Sequence, residues 1–87
     1  MQPALFHPKA LQAIQGFPKT AKKALGEAVL DLQRGKRLGM PLSRAMPVVG
    51  QGVNELRVKD QAGIYRAFYL VRDQRGVYVF HAFSKKT

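Results

Sequence analysis

Three runs decide the fold: Val53-Asn54-Glu55-Leu56-Arg57-Val58-Lys59, Ile64-Tyr65-Arg66-Ala67-Phe68-Tyr69-Leu70-Val71 and Val77-Tyr78-Val79-Phe80-His81-Ala82-Phe83. All three are rich in Val, Ile, Tyr and Phe and follow a period of two, which predicts strands over 53–59, 64–71 and 77–83. The connections Asp60-Gln61-Ala62-Gly63 and Asp73-Gln74-Arg75-Gly76 both begin with Asp and end in Gly, as tight turns prefer. An antiparallel meander follows.

Four-residue turns fix the register. In the first hairpin Lys59 is predicted to oppose Ile64, Arg57 to oppose Arg66, and Glu55 to oppose Phe68. In the second, Arg72 opposes Val77, Phe68 opposes His81, and Arg66 opposes Phe83. Side chains two apart share a face. One face then gathers Glu55, Arg57, Lys59, Arg66, Phe68, His81 and Phe83. The other gathers Leu56, Val58, Tyr65, Ala67, Tyr69, Val71, Tyr78, Phe80 and Ala82. This second set is apolar and is expected to lie under helices.

Those helices come earlier in the chain. Ala4-Leu5-Phe6 reads as a short edge strand, and Pro8 suits the first turn of a helix running through Leu11 and Ile14 to Gly16 and Pro18. A second helix begins around Pro18-Lys19-Thr20. Its apolar positions Ala21, Leu25, Val29 and Leu32 recur every three or four residues, with Gly35 as the C-terminal cap. Gly26 is a weak point inside it, read as a place where the two helices approach closely. Residues 36–52, with Pro41, Pro47, Gly39, Gly50 and Gly52, read as a loop. The prediction is a single α+β domain over residues 1–87: an N-terminal helical hairpin on a small, mainly antiparallel sheet.

Composition narrows the partner. Fifteen Lys and Arg against five Asp and Glu give a net charge of +10, which favours a polyanionic partner: nucleic acid, a ribosome, or an acidic protein that neutralises it. The chain has no cysteine, which removes disulfides, thiolate nucleophiles and Cys-based zinc sites. The five scattered acids offer no carboxylate cluster for Mg²⁺, so no metal or other cofactor is expected. No run approaches a membrane span and the N-terminus has no signal-peptide pattern, so the expected location is cytoplasmic, with no membrane partner.

The chemistry concentrates on the mixed face. Opposed like charges destabilise a sheet, so the Arg57–Arg66 pair is unfavourable by itself. A phosphate between the two would reverse that, because both guanidinium groups can fork onto anionic oxygens. The alternative is a solvated, splayed pair, or one neutralised by Glu55 and Asp60. His81 among basic neighbours is a candidate base, although a lone strand His is more often a packing residue.

Three segments carry a resemblance. Gly50-Gln51-Gly52-Val53-Asn54-Glu55-Leu56-Arg57 is similar to the G-x-G-V-x-E-L-R segment of phage-derived HigB-type toxins in the RelE/ParE superfamily. Gly63-Ile64-Tyr65-Arg66-Ala67-Phe68-Tyr69 resembles their G-x-Y-R-x-x-Y strand. Tyr78-Val79-Phe80-His81-Ala82-Phe83-Ser84-Lys85-Lys86-Thr87 resembles Y-V-L-H-A-F-x-K-K-T. The resemblance implies a RelE-like fold and a type II toxin, an mRNA interferase that cuts mRNA in the ribosomal decoding site. A HigA-like helix-turn-helix antitoxin is the implied partner, with operator DNA touched only through it. The family's phosphate-contacting positions fall on Arg57, Arg66 and Lys86, flanked by Lys59 and Lys85. Family members continue past K-K-T into a C-terminal helix, so the expected fold of this chain, ending at Thr87, lacks it and its activity stays open.

Metal-free RNA cleavage needs charge stabilisation at phosphorus, a base for the 2′-OH and an acid for the leaving oxygen. Arg57 and Arg66 are the candidates for the first, Lys86 for steadying the phosphate or leaving oxygen, and His81 or Glu55 for the base. Lys59, Lys85 and Phe68 are candidate substrate contacts. Two readings compete within the superfamily: a ParE-like gyrase inhibitor, and a catalytically inactive domain that binds antitoxin or nucleic acid.

Overall fold

The computed structural model describes residues 1–72 and 75–86. In chain order the elements are β1 (Ala4–Phe6), α1 (Pro8–Gln15), α2 (Lys19–Gln33), β2 (Ser43–Ala45), β3 (Asn54–Lys59), β4 (Gly63–Val71) and β5 (Val77–Lys86). One sheet runs β1-β5-β4-β3-β2, with β1 parallel to β5 and every other pair antiparallel. Two helices on one face of this sheet make the expected α+β architecture. Among the described residues no helix is long and apolar enough to cross a membrane.

Local chemistry sets the helix ends. His7 caps α1, its Nδ1 accepting from the Lys9 amide at 3.1 Å, and Pro8 follows in the first turn, where its missing N–H costs nothing. At the end of α2 the amide of Gly35 donates to Leu32 O and that of Lys36 to Asp31 O, both at 3.0 Å. This paired closure requires a left-handed residue, and Gly35 supplies it with φ +84°. The α2 face predicted from periodicity is the buried one: Ala21, Leu25, Val29 and Leu32, with Ala28 between. It packs on Leu56, Ala67 and Val79 of the sheet.

Gly26 does not mark a close helix approach. A Cβ added there meets nothing within 4 Å, and the residue is exposed. Nor are residues 36–52 all loop: Ser43–Ala45 pair with Leu56, Glu55 and Asn54 and extend the sheet by a fifth strand. Three residues between Pro41 and Pro47 are too few to display a period of two, which hid this strand.

The first hairpin has the predicted register, with Lys59 opposite Ile64, Arg57 opposite Arg66 and Glu55 opposite Phe68. Its turn is organised by Asp60, whose Oδ1 accepts from the amides of Ala62 (2.8 Å) and Gly63 (3.0 Å) and from the Tyr65 hydroxyl (3.3 Å). In the second turn Asp73 and Gln74 lie outside the described residues.

The second hairpin departs from prediction halfway along. Arg66–Phe83 and Phe68–His81 pair as expected, but beyond Phe68 the register shifts, giving Tyr69 opposite Val79 and Val71, not Arg72, opposite Val77. Phe80 is the extra residue of a β-bulge, and one inserted residue flips everything beyond it to the other face. Val77 and Val79 therefore take the core positions at 0% exposure, and Tyr78 and Phe80, predicted under the helices, turn to the opposite face.

Candidate active site

The face away from the helices is built from alternate residues of four strands. β3 contributes Glu55, Arg57 and Lys59, β4 contributes Ile64, Arg66 and Phe68, and β5 contributes Tyr78, Phe80, His81 and Phe83. The edge strand β2 adds Arg44, directly opposite Glu55.

Arg57 and Arg66 are a cross-strand pair in different settings. Arg66 is held in place. Its Nη1 lies 3.7 Å from Glu55 Oε2, its guanidinium carbon lies 5.8 Å from the Phe83 ring centroid, and its side chain is 22% exposed. The cation over the ring face is attracted by the ring quadrupole and fixed in direction. Arg57 stands beside a cleft of about 320 Å³ that it lines with Lys59, Pro41 and Leu42. The loop wall of this cleft is tied to β3 by the Arg57 amide, which donates to Leu42 O at 2.8 Å.

Glu55 is fully buried. Its carboxylate lies between two guanidinium groups, Oε1 at 3.8 Å from Arg44 Nε and Oε2 at 3.7 Å from Arg66 Nη1. These distances are those of ion pairs rather than hydrogen bonds, and both oxygens, like Arg66 Nε, lack a hydrogen-bond partner. Closed off from solvent in this way, the carboxylate faces Arg66 and Arg44. Asp60 spends its carboxylate on the 60–63 turn, so Glu55 alone of the two acids weighed above neutralises the pair, and from the Arg66 side.

His81 is exposed on this face, with the rings of Phe68 at 5.6 Å and Phe83 at 5.4 Å; its ring contacts are aromatic rather than basic. The two terminal lysines separate. Lys85 pairs with Ile64, two residues on from Phe83, so the pleat turns it toward the arginine face. Lys86 pairs with Gly63 and turns the other way. The register thus brings Arg57, Arg66, Lys59, Lys85, Phe68, His81 and Glu55 to one face and sets Lys86 at its end on the opposite side.

Arg44 was missed because it sits in the segment read as loop; its signal, a basic residue between two prolines, is weak. No group of three or more His, Cys, Asp or Glu able to hold a metal occurs among the described residues.

The burial of two tyrosines on the helix side shapes the rear of the site. Burial, and then the Asp60 carboxylate, push the Tyr65 phenol above its ordinary value of 10.0. Burial raises Tyr69 as well, partly opposed by its 2.6 Å hydrogen bond with Ser43 Oγ.

Comparison with known proteins bears on the family and the fold. The family described as "Phage derived protein Gp49-like (DUF891)" matches residues 12–87. The isolated RelE toxin of E. coli superposes with a TM-score of 0.72 over 100% of this chain and 87% of its own, at 18% identity. The E. coli RelBE toxin–antitoxin complex contains a chain that superposes with a TM-score of 0.59 over 100% of both chains, also at 18% identity. At that identity the likeness is one of fold. No curated protein sequence matches the chain.

Proposed function

We propose that this chain, which belongs to the phage-derived Gp49-like family, is the toxin of a toxin–antitoxin pair and a ribosome-dependent mRNA endoribonuclease. The observation that carries the reading is the opposed Arg57–Arg66 pair on an open, aromatic-rich sheet face of a RelE-like fold. Two arginines opposed in register favour a bound phosphate, with the Glu55 carboxylate offsetting the charge on the Arg66 side alone.

In the proposed reaction the RNA 2′-oxygen attacks the adjacent phosphorus, forming the P–O2′ bond as the P–O5′ bond breaks. Arg57 and Arg66 take up the charge that develops on the non-bridging oxygens. Glu55 holds Arg66 at its angle, so that less reorganisation is needed as the charge grows. His81 is the proposed base for the 2′-OH, leaving Glu55 as a positioning residue. Lys85, on the arginine face, steadies the phosphate or the leaving 5′-oxygen, Lys86 adds charge from the other side of the strand end, and Lys59 and Phe68 contact the substrate on either side. Alignment of the mRNA by the ribosome supplies the remaining rate through positioning. Its place of action, on this reading, is the cytoplasm, and its partner is an antitoxin of the HigA-like helix-turn-helix kind. The RelE neighbour is likewise known in a toxin–antitoxin complex.

The test is primer extension on mRNA from translating cells after induction. Cuts in codon register that vanish with Arg66→Ala support the proposal. Intact mRNA accompanied by blocked DNA replication would replace it with a gyrase-directed toxin.

A further inference from the structure

The bulge at Phe80 gives the sheet face something that the proposed cleavage step does not use. Tyr78, Phe80, Phe68, His81 and Phe83 form one continuous row of rings. Centroids are 6.1 Å apart for Tyr78–Phe80, 6.2 Å for Phe80–Phe68, 5.6 Å for Phe68 to both His81 and Phe83, and 5.4 Å for His81–Phe83. The row ends under Arg66, whose guanidinium lies over Phe83. None of the five is in the buried core: His81 is exposed and the other four are half-buried.

An unbulged strand would send Tyr78 and Phe80 under the helices, where large aromatic surface is most stabilising. The bulge instead buries the smaller Val77 and Val79 and moves two aromatic side chains to the charged face. That exchange gives up core volume for an aromatic surface beside Arg57, Lys59, Arg66 and Lys85. An apolar protein segment laid on this face would meet those cations, whereas a polyanion with flat apolar bases matches both halves of it.

We propose that the row Tyr78–Phe80–Phe68–His81–Phe83 is a stacking track for the unpaired bases of single-stranded RNA, leading away from the phosphate held at Arg57 and Arg66. The inference rests on the RNA-directed reading above and adds to it the form in which RNA is taken. Bases stack on rings only when unpaired, and every base has a π-face, so the track selects single strands with little regard to sequence.

The test uses the full chain and two probes of equal length at low salt. One is a single-stranded RNA oligomer blocked against cleavage by 2′-deoxy substitution and carrying 2-aminopurine; the other is the same backbone without bases. The base-bearing probe is expected to bind roughly tenfold more tightly, with its 2-aminopurine fluorescence quenched by stacking. Phe80→Leu and Tyr78→Leu should each remove most of that difference and leave the salt dependence, which counts phosphate contacts, unchanged. Phe80→Tyr, which keeps a ring in place, should retain the tight binding. Equal affinity for the two probes overturns the track while leaving the phosphate site standing. Failure of both probes to bind overturns the track, while the RNA reading is decided separately by the primer-extension cuts. If Phe80→Leu and Phe80→Tyr alike keep the difference between probes while Phe80→Leu loses capture of the antitoxin, the row serves a protein partner and the proposal falls.

Discussion

Glu55 is fully buried beside Arg66, with 3.7 Å between Oε2 and Nη1, and it answers two arginines at once. A buried carboxylate without hydrogen bonds is costly, and its compensation here is the field of Arg44 and Arg66. Removing its charge leaves Arg44 and Arg66 without the carboxylate that faces both. Glu55→Gln should therefore lower stability by about 1–3 kcal/mol, read as a fall in urea midpoint at unchanged slope. An unaltered midpoint would show that the ion pairs merely offset their own desolvation.

The strand register separates two neighbouring lysines. Lys85 shares a face with Arg57 and Arg66, and Lys86 does not. Lys85→Ala should weaken RNA binding and reduce the slope of log affinity against log salt by about one contact, while Lys86→Ala does so less. Equal effects would mean that the strand end twists to bring both onto the phosphate.

Arg66 should tolerate lysine poorly. The ammonium keeps the charge but loses the planar fork and the broad contact with the Phe83 ring. Single-turnover cleavage on translating ribosomes is expected to fall by roughly 10²-fold or more in Arg66→Ala. Arg66→Lys should recover only part of the loss.

Two glycines should respond with opposite sign. Gly76 has φ +117°, and a Cβ there would lie 2.5 Å from Pro3 O, the acceptor for the Val77 amide that ties the residues before β1 to β5. Gly76→Ala should cost at least about 2 kcal/mol. Gly26 is helical, exposed and has open space at the Cβ position, so Gly26→Ala should stabilise by about 0.5–1 kcal/mol in thermal melts.

Alkaline pH should unfold the protein through its buried phenols. Both Tyr65 and Tyr69 are raised above 10.0 in the fold, so the folded state binds more protons than the unfolded state once pH passes that value. Their contribution is complete below pH 10 and is lost as pH climbs toward the folded values. Urea midpoints measured from pH 8 upward should bend down beyond about 10. The double substitution Tyr65→Phe, Tyr69→Phe should flatten that limb, although it lowers stability at neutral pH by removing the bonds to Asp60 and Ser43.

Much of this was legible in sequence where the signal is local. The α2 stripe, the Asp60 turn and the Arg57–Arg66 opposition follow from periodicity and turn chemistry, which act within a few residues. The bulge at Phe80 was not legible, because Tyr78-Val79-Phe80 alternates equally well with either parity; what decides is that Val77 and Val79 fit beneath the helices. Arg44 escaped for a related reason: a three-residue strand is defined by its partner β3, not by its own pattern. Glu55 was legible as a neighbour of the arginines, but its complete burial is a tertiary property.

The place of β5 in the sheet carries a consequence in time. It lies between β1 and β4 and also packs against α1, yet it is the latest of the described elements to leave a ribosome. Until it emerges, β1 has no strand to pair with, the valines that complete the core are missing, and the arginine face lacks its aromatic half. Folding is therefore incomplete until β5 has joined the sheet, and on the proposed function the arginine face cannot take up a message before that strand is in place.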